Sequence, residues 1–283
     1  MTETLVREPL AHAPLDIDVP EIRPTLENAV PTTARAGLIA GAAAVGAAAG
    51  QFAAPAGPAA LTAAVVGTGA VTALAANWST CGMSVAGVVA APKQPGRRGS
   101  STPVRRLGWH ALGSLATGIP TGALLGALGA LATDSVPWTW MLGVWGVLAL
   151  GYGLHELGMI TLPTPMRRQQ LPRHLRRTTA PWKVSLLFGA LIGPGFMIFI
   201  RSSAYYLLVL GVIASGSPVL GAAMFATVSL GRCMPSVLAI LHTRRGGSMP
   251  GFLSAMCVID RRVQTLTGGV LVALAAFALA ALV

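Results

Sequence analysis

Long apolar runs alternate with short polar or basic segments along most of the chain, a pattern typical of a polytopic membrane protein. Each run is long enough for a crossing, at about 1.5 Å per helical residue and a hydrocarbon core of about 30 Å. The pattern predicts an all-α membrane bundle of seven transmembrane helices. The predicted crossings span residues 36–54, 59–91, 107–132, 138–162, 184–214, 218–242 and 263–283.

Two of these runs are too long for one straight helix. A helix over 59–91 would reach roughly 50 Å, well beyond the hydrocarbon core, and 184–214 is also overlong. The first run carries its polar cluster near the middle, at Asn77-Trp78-Ser79-Thr80-Cys81-Gly82-Met83, and the second contains Gly193-Pro194-Gly195. A helix breaks at membrane depth only where protein or a water-filled cavity satisfies the freed backbone groups. We therefore expect two broken helices around an interior site.

The layout also predicts an internal repeat. Each broken helix is followed by two ordinary crossings, and the two sets of three enter the membrane from opposite sides. Paired broken helices in inverted halves indicate a central binding site. The predicted organisation is a disordered cytoplasmic tail (1–35), a leading helix (36–54), a first three-helix repeat (59–162), a basic cytoplasmic loop (163–183) and a second three-helix repeat (184–283).

Glycines in the third predicted crossing indicate close helix packing. Gly118, Gly122 and Gly126 are four residues apart, so they lie on one face of a helix. Small residues at such spacing let transmembrane helices approach closely.

Composition agrees with a membrane protein. The chain is 53% hydrophobic and 10% charged, whereas soluble domains carry about 25% charged residues. Its net charge of +11 suits nucleic acid in principle. The basic residues, however, lie between the apolar runs instead of on one soluble face, so we expect the lipid bilayer and no nucleic acid as partner.

The positions of the basic residues predict the orientation. They fall in alternate loops, whereas the turns near 55–58, 133–137 and 215–218 contain none, as the positive-inside rule requires for a cytoplasmic N-terminus and an extracytoplasmic C-terminus in the cytoplasmic membrane. The loop residues concerned are Lys93, Arg97, Arg98, Arg105, Arg106, Arg167, Arg168, Arg173, Arg176, Arg177, Lys183, Arg244, Arg245, Arg261 and Arg262.

Two further arginines, Arg201 and Arg232, fall near mid-membrane, where a charge costs at least a few kcal/mol without a partner or water. The acidic residue inside a crossing is Glu156, beside His155. One interpretation is a structural ion pair between Glu156 and one arginine. The other is that the remaining arginine faces a cavity and attracts a small anion, because two arginines with one carboxylate leave one cation over.

The candidate binding residues come from both breaks and from the interior charges. Ser202 and Ser203 offer hydroxyl groups to a ligand, although such residues also bond to their own helix backbone. No His or Cys spacing supports a metal site, and no cofactor is expected. The candidates are Asn77, Ser79, Thr80, His155, Glu156, Arg201, Ser202, Ser203 and Arg232.

The stretch Trp78-Ser79-Thr80-Cys81-Gly82 resembles the Ser-Pro-Cys element in the broken first helix of the cytochrome c biogenesis/DsbD-type (CcdA-like) transmembrane family. The resemblance implies a three-plus-three inverted core. It further implies that two core cysteines carry reducing equivalents from a cytoplasmic thioredoxin-like protein, with Cys81 as the first. Thr80 replaces the family's proline, and Phe199–Ser203 at the second break lacks a cysteine.

Three functions follow as expectations. The first is a carrier or accessory membrane protein with a mid-membrane site for a small anionic or polar solute. The second is a thiol-disulfide electron conduit that uses Cys81 and Cys233; Arg232 would favour a thiolate at Cys233, although a buried free cysteine is also a common apolar filler. The third is a structural subunit of a membrane assembly. Whether the protein is an enzyme stays open.

Overall fold

The computed structural model describes residues 32–54, 57–75, 78, 80–91, 101–133, 136–163, 178–195 and 202–283. All regular structure in these ranges is helical. The helices are α1 (Thr32–Ala53), α2 (Ala59–Ala75), α3 (Thr80–Val89), α4 (Pro103–Thr133), α5 (Trp138–Glu156), α6 (Pro181–Ile192), α7 (Ser203–Ser215), α8 (Pro218–Gly231), α9 (Met234–Arg244) and α10 (Met249–Ala280).

Several of these helices suit a lipid bilayer. Four stretches of the described chain are long and apolar enough to cross a membrane by length and composition: Thr33–Ala53, Pro103–Leu131, Pro218–Arg244 and Met249–Ala280. Three shorter apolar helices, α2, α6 and α7, lie among them. The chain is therefore an all-helical protein of multi-pass membrane type.

Both overlong runs are divided in the structure, although Thr80–Met83, which the prediction places in the first break, belong to α3. The first apolar run divides into α2 and α3 between Ala75 and Thr80, and the second divides into α6 and α7 between Ile192 and Ser203. The local chemistry explains the second break, because Pro194 lacks the N–H that would continue the helix and Gly195 has a φ of 80°.

Two predicted crossings differ from the structure. α10 starts at Met249, well before residue 263, because Ser248 caps the helix by accepting a hydrogen bond from the N–H of Gly251 and Pro250 fits the first turn. The sixth run is interrupted between α8 and α9, at Arg232 and Cys233. Pro235 causes this interruption, because it cannot donate to the carbonyl four residues earlier.

α4 packs against both α6 and α8, two helices of the second half of the chain. A Cβ atom at Gly122 would overlap the backbone of Gly221, and one at Gly118 would contact the hydroxyl of Ser229. The predicted close packing of this glycine face is therefore confirmed. It brings α4 and α8 against each other beside the second break.

The remaining helices complete the bundle. α5 packs against α7 and α10, and α1 packs against α10. The indole Nε1–H of Trp145 on α5 donates to the backbone oxygen of Leu207 on α7 over 3.1 Å, within the main buried cluster. α3 packs against α9, α10, α4 and α6.

Some predictions fall on residues outside the described ranges. These are most of the tail (1–35) and of the loop 163–183, the loop residues Lys93, Arg97 and Arg98, and the candidates Asn77, Ser79 and Arg201.

Candidate functional site

The carboxylate of Glu156 lies at the start of the second half-helix. Glu156 is the last residue of α5 and is buried. Its Oε1 accepts a hydrogen bond from the backbone N–H of Ser203, the first residue of α7, over 2.7 Å. The first N–H groups of a helix have no partner within the helix. A negative charge there also interacts favourably with the positive end of the helix dipole. Glu156 therefore caps α7 from a neighbouring helix.

The guanidinium of Arg232 lies at the end of the first half-helix. Arg232 follows α8, is buried, and donates from one terminal nitrogen to the carbonyl oxygens of Ile192 and Gly193, where α6 ends. The last carbonyls of a helix need such donors, and a positive charge there suits the dipole. The buried charge therefore satisfies a helix end.

Tyr205 joins the two sides of the break. Its O–H donates to the carbonyl oxygen of Pro194, and its ring centroid lies 5.4 Å from Cζ of Arg232. The backbone of Gly195 passes so close that a Cβ there would overlap the Tyr205 hydroxyl. We call Glu156, Tyr205 and Arg232 the charged clamp, because together they hold α6 and α7 on either side of the break.

The predicted pairing of Glu156 with one arginine stays a prediction, because Arg201 lies outside the described residues. The carboxylate bonds to the backbone of Ser203, and the guanidinium bonds to the end of α6. Glu156 and Arg232 therefore each bond to a helix end. This arrangement keeps buried charges hydrogen-bonded, as they must be at low dielectric constant.

Two serine hydroxyls in the break keep hydrogen-bonding capacity. Ser202 and Ser203 are buried, and neither Oγ has a hydrogen-bond partner among the described residues. The alternative, in which they bond to their own helix backbone, stays a prediction, because the carbonyls three and four residues earlier lie outside the described residues. A hydroxyl can donate one hydrogen bond and accept two. The break thus combines a carboxylate with two hydroxyls that can bind a polar group.

The first break is less fully described. Thr80 and Cys81 begin α3, and only their backbone lies within the described part of the chain. Cys233 is a buried free thiol whose Sγ lies 3.6 Å from the backbone oxygen of Ser229. The exposed thiol of Cys257 lies 3.4 Å from the sulfur of Met83.

His155 has a structural position. Its Nδ1 accepts a hydrogen bond from the backbone N–H of Leu162 over 3.0 Å, which holds the turn after α5. Within the described ranges, no group of three or more His, Cys, Asp or Glu side chains could hold a metal ion.

Arg106, which the sequence pattern places in the basic loop before the third predicted crossing, has a structural position instead. It lies in the first turn of α4, is buried, and donates to the carbonyl oxygens of Val88 (3.1 Å) and Ala91 at the end of α3. The helical pattern contained a signal: Arg106 precedes Gly113, which packs against α6, by seven residues and so lies on the same helix face.

Comparison with known proteins gives relatives under one name. The chain is 31% identical to methylamine utilization protein MauF of Paracoccus denitrificans over 203 residues, which cover 71% of this chain and 73% of the relative. It is 31% identical to MauF of Paracoccus versutus over 169 residues (59% and 61%). It is 30% identical to MauF of Methylobacillus flagellatus over 193 residues (65% and 66%), so the match spans less than two thirds of the latter two relatives.

Two further comparisons found nothing. No protein-family model matches the chain. No solved structure matches it.

These relatives correct the sequence analysis. The resemblance to the cytochrome c biogenesis/DsbD-type family is wrong, because proteins about 30% identical over most of the chain carry a different name. The solute carrier, the thiol conduit through Cys81 and Cys233, and the structural subunit are overturned with it. The physical reason is that a five-residue motif at a helix break specifies a backbone shape that unrelated membrane proteins also need. The thioredoxin-like partner loses the support of that resemblance, whereas a small anionic solute as partner stays a prediction from the interior arginines.

Proposed function

Because the chain belongs to the MauF family of methylamine utilization proteins, we propose that it is a multi-pass membrane protein required for the use of methylamine. The process comes from the name that its relatives carry. The part of the molecule that performs the role is, on this proposal, the second helix break with its charged clamp.

The hydrogen bonding of two opposite charges at one break carries this assignment. Ionisable residues inside a membrane protein are costly and are by default functional candidates. Glu156 and Arg232 are both buried and hold the two half-helices from different neighbours, α5 and the junction after α8. The clamp keeps the break in one arrangement, and Ser202 and Ser203 remain able to bond a polar group there.

The proposal includes the finer fold, in which seven crossings form a leading helix and two inverted three-helix repeats, with the N-terminus in the cytoplasm. The helix contacts support it. The first repeat maps onto the second when α2 corresponds to α6, α3 to α7, α4 to α8–α9 and α5 to α10. Under this correspondence, the contact between α2 and α8 matches the contact between α6 and α4, and the structure has both. Likewise, the contact of α5 with α7 becomes that of α10 with α3. Two repeats related by a pseudo-two-fold axis have this property, and the odd number of predicted crossings per repeat makes them inverted.

Growth on methylamine tests the proposed process. We expect that deletion of the gene from the source organism abolishes growth with methylamine as the nitrogen source but leaves growth on ammonium intact. A plasmid copy of the wild-type gene should restore growth. Unchanged growth of the deletion strain on methylamine would refute the proposed process.

Complementation with clamp variants tests the proposed site. Glu156→Leu and Arg232→Met should fail to restore growth although the variant proteins are detected in the membrane fraction. Arg245→Met removes an exposed charge and serves as the matched control, which should restore growth fully. If the clamp variants complement as well as the control, the site lies elsewhere in the molecule, and the proposed process stands on the deletion result alone.

A further inference from the structure

α4 and α6 begin side by side and point the same way. Gly113 on α4 lies against Leu186 and Ala190 on α6, and Gly118, further along α4, lies against Gly193 at the end of α6. Because both residue numbers rise together, the helices are parallel, and their N-termini lie at the same end of the bundle. The N-terminal ends of the two helix dipoles give this end a positive potential.

Two tryptophans lie next to each other at this end. The rings of Trp109 on α4 and Trp182 on α6 have centroids 5.1 Å apart with an interplanar angle of 39°. Both side chains are half-buried. Tryptophan is enriched at the membrane–water interface, where its ring meets the headgroup region. The pair therefore marks the level of the lipid headgroups on α4 and α6.

Two exposed cations flank the tryptophan pair. Nζ of Lys183 lies 5.5 Å from the ring centroid of Trp182. Arg105 is exposed one turn before Trp109 on α4. Both cations therefore lie at the tryptophan level or at most one helical turn beyond it.

A buried hydroxyl lies beside the same helix end. Ser101, two residues before α4, is 7% exposed, and its Oγ has no hydrogen-bond partner among the described residues. This group is independent of the exposed cations. It adds hydrogen-bonding capacity at the end of the bundle where the two helices begin.

Apolar side chains continue the surface towards the membrane interior. Leu112 on α4 and Leu187 on α6 are about one turn deeper than the tryptophans, and they are 53% and 41% exposed. A cationic, aromatic rim above an exposed apolar surface matches a phospholipid, whose phosphate lies at the interface and whose chains lie beneath it. Free phosphate would contact only the cations and the tryptophans, and it would leave the exposed leucines unused.

We propose that the common end of α4 and α6 binds the headgroup of an anionic phospholipid. Arg105 and Lys183 attract the phosphate, the Trp109–Trp182 pair contacts the glycerol region, and Leu112 and Leu187 contact the acyl chains. Basic pockets between transmembrane helices are known to bind such headgroups. The site is separate from the clamp and does not depend on the proposed role in methylamine use.

Titration of the purified full-length protein in neutral detergent with phosphatidylglycerol, followed by native mass spectrometry, tests this site. We expect saturable binding of phosphatidylglycerol and much weaker binding of phosphatidylcholine. Arg105→Gln combined with Lys183→Gln should weaken phosphatidylglycerol binding on the order of tenfold, because each basic residue contributes to attraction of an anionic lipid. Equal binding of the two lipids by the wild-type protein would overturn the proposal.

The matched control has the same charge change at another exposed basic pair, Arg261→Gln combined with Arg262→Gln on α10. It should retain wild-type affinity for phosphatidylglycerol. Equal losses of affinity in the two double variants would mean that any exposed basic pair attracts the lipid, and this result would overturn the proposed site. A third arm adds inorganic phosphate as competitor. If millimolar phosphate displaces the lipid completely, the rim is a phosphate site, and the assignment to a lipid fails.

Discussion

Arg106 and Arg232 perform the same task at two helix ends. Each is buried, and each donates from its guanidinium to carbonyl oxygens at the end of a short half-helix: Arg106 at α3 and Arg232 at α6. Water is scarce inside a membrane protein, so the last carbonyls of a broken helix need a protein donor. Arginine suits this position because its five N–H donors reach more than one carbonyl and it keeps its charge.

Replacement of Arg232 by methionine removes these donors while keeping a long apolar side chain. The carbonyls of Ile192 and Gly193 then lose this hydrogen-bonding partner. We expect the free energy of unfolding to fall by about 2–4 kcal/mol, since each unsatisfied buried polar group costs about 1–3 kcal/mol. Equilibrium unfolding in detergent micelles measures the change.

The control for this prediction is Arg245→Met, which removes a charge that is exposed after α9. It should change the free energy of unfolding by about 0.5 kcal/mol or less, as exposed substitutions usually do. If Arg232→Met is equally mild, the guanidinium does not stabilise the end of α6.

At the scale of helices, the two breaks and the close packing of α4 follow from local properties of the sequence. Run length, Pro194 and Gly195 predict the second break, and the spacing of Gly118, Gly122 and Gly126 predicts the tight face. The predicted start of the last crossing at residue 263 is too late, because the basic residues Arg261 and Arg262 indicate a loop although they lie within α10. The charge pattern locates the edge of the membrane, and a helix can continue past that edge into the headgroup region and beyond.

Two glycine substitutions in α4 test the packing of this helix. Gly122→Ala places a methyl group against the backbone of Gly221 on α8, so the two helices must separate. We expect a lower melting temperature in detergent, because van der Waals packing at such small-residue faces drives association of transmembrane helices.

Gly108→Ala on the same helix is the matched control. A Cβ there meets no atom within 4 Å among the described residues. Since alanine is favoured over glycine in a helix by about 0.5–1 kcal/mol, the melting temperature should stay unchanged or rise slightly. Similar losses in both variants would mean that the α4–α8 contact contributes nothing particular to stability.

At the scale of the whole molecule, the packing of the helices brings the ends of α5, α6 and α8 and the start of α7 together at the second break. The clamp exists because α5 ends at the start of α7 and α8 ends beside the end of α6. Three different parts of the chain thus meet at the second break. A change in any of these helices should therefore affect the break.

Reporter fusions test the proposed seven crossings and their orientation. Alkaline phosphatase, which is active only outside the cytoplasm, should be active when fused after Val283 and inactive when fused after Gly246 between α9 and α10. Green fluorescent protein at the same two positions should give the opposite result. This follows from the alternation of basic segments under the positive-inside rule. Equal alkaline phosphatase activity at the two positions would contradict an odd number of crossings between them.

The sequence by itself determined the helical membrane class, the existence of the two breaks, the position of the second break and the glycine face of α4. These features depend on the length, apolarity and backbone preferences of neighbouring residues, which are present in any short stretch of the chain. Only the tertiary structure decided the contacts of the interior charges. Glu156 bonds to a backbone N–H 47 residues away, and Arg232 bonds to a carbonyl 40 residues away. Such pairs depend on how helices pack, because a buried charge binds whichever helix end the packing brings to it.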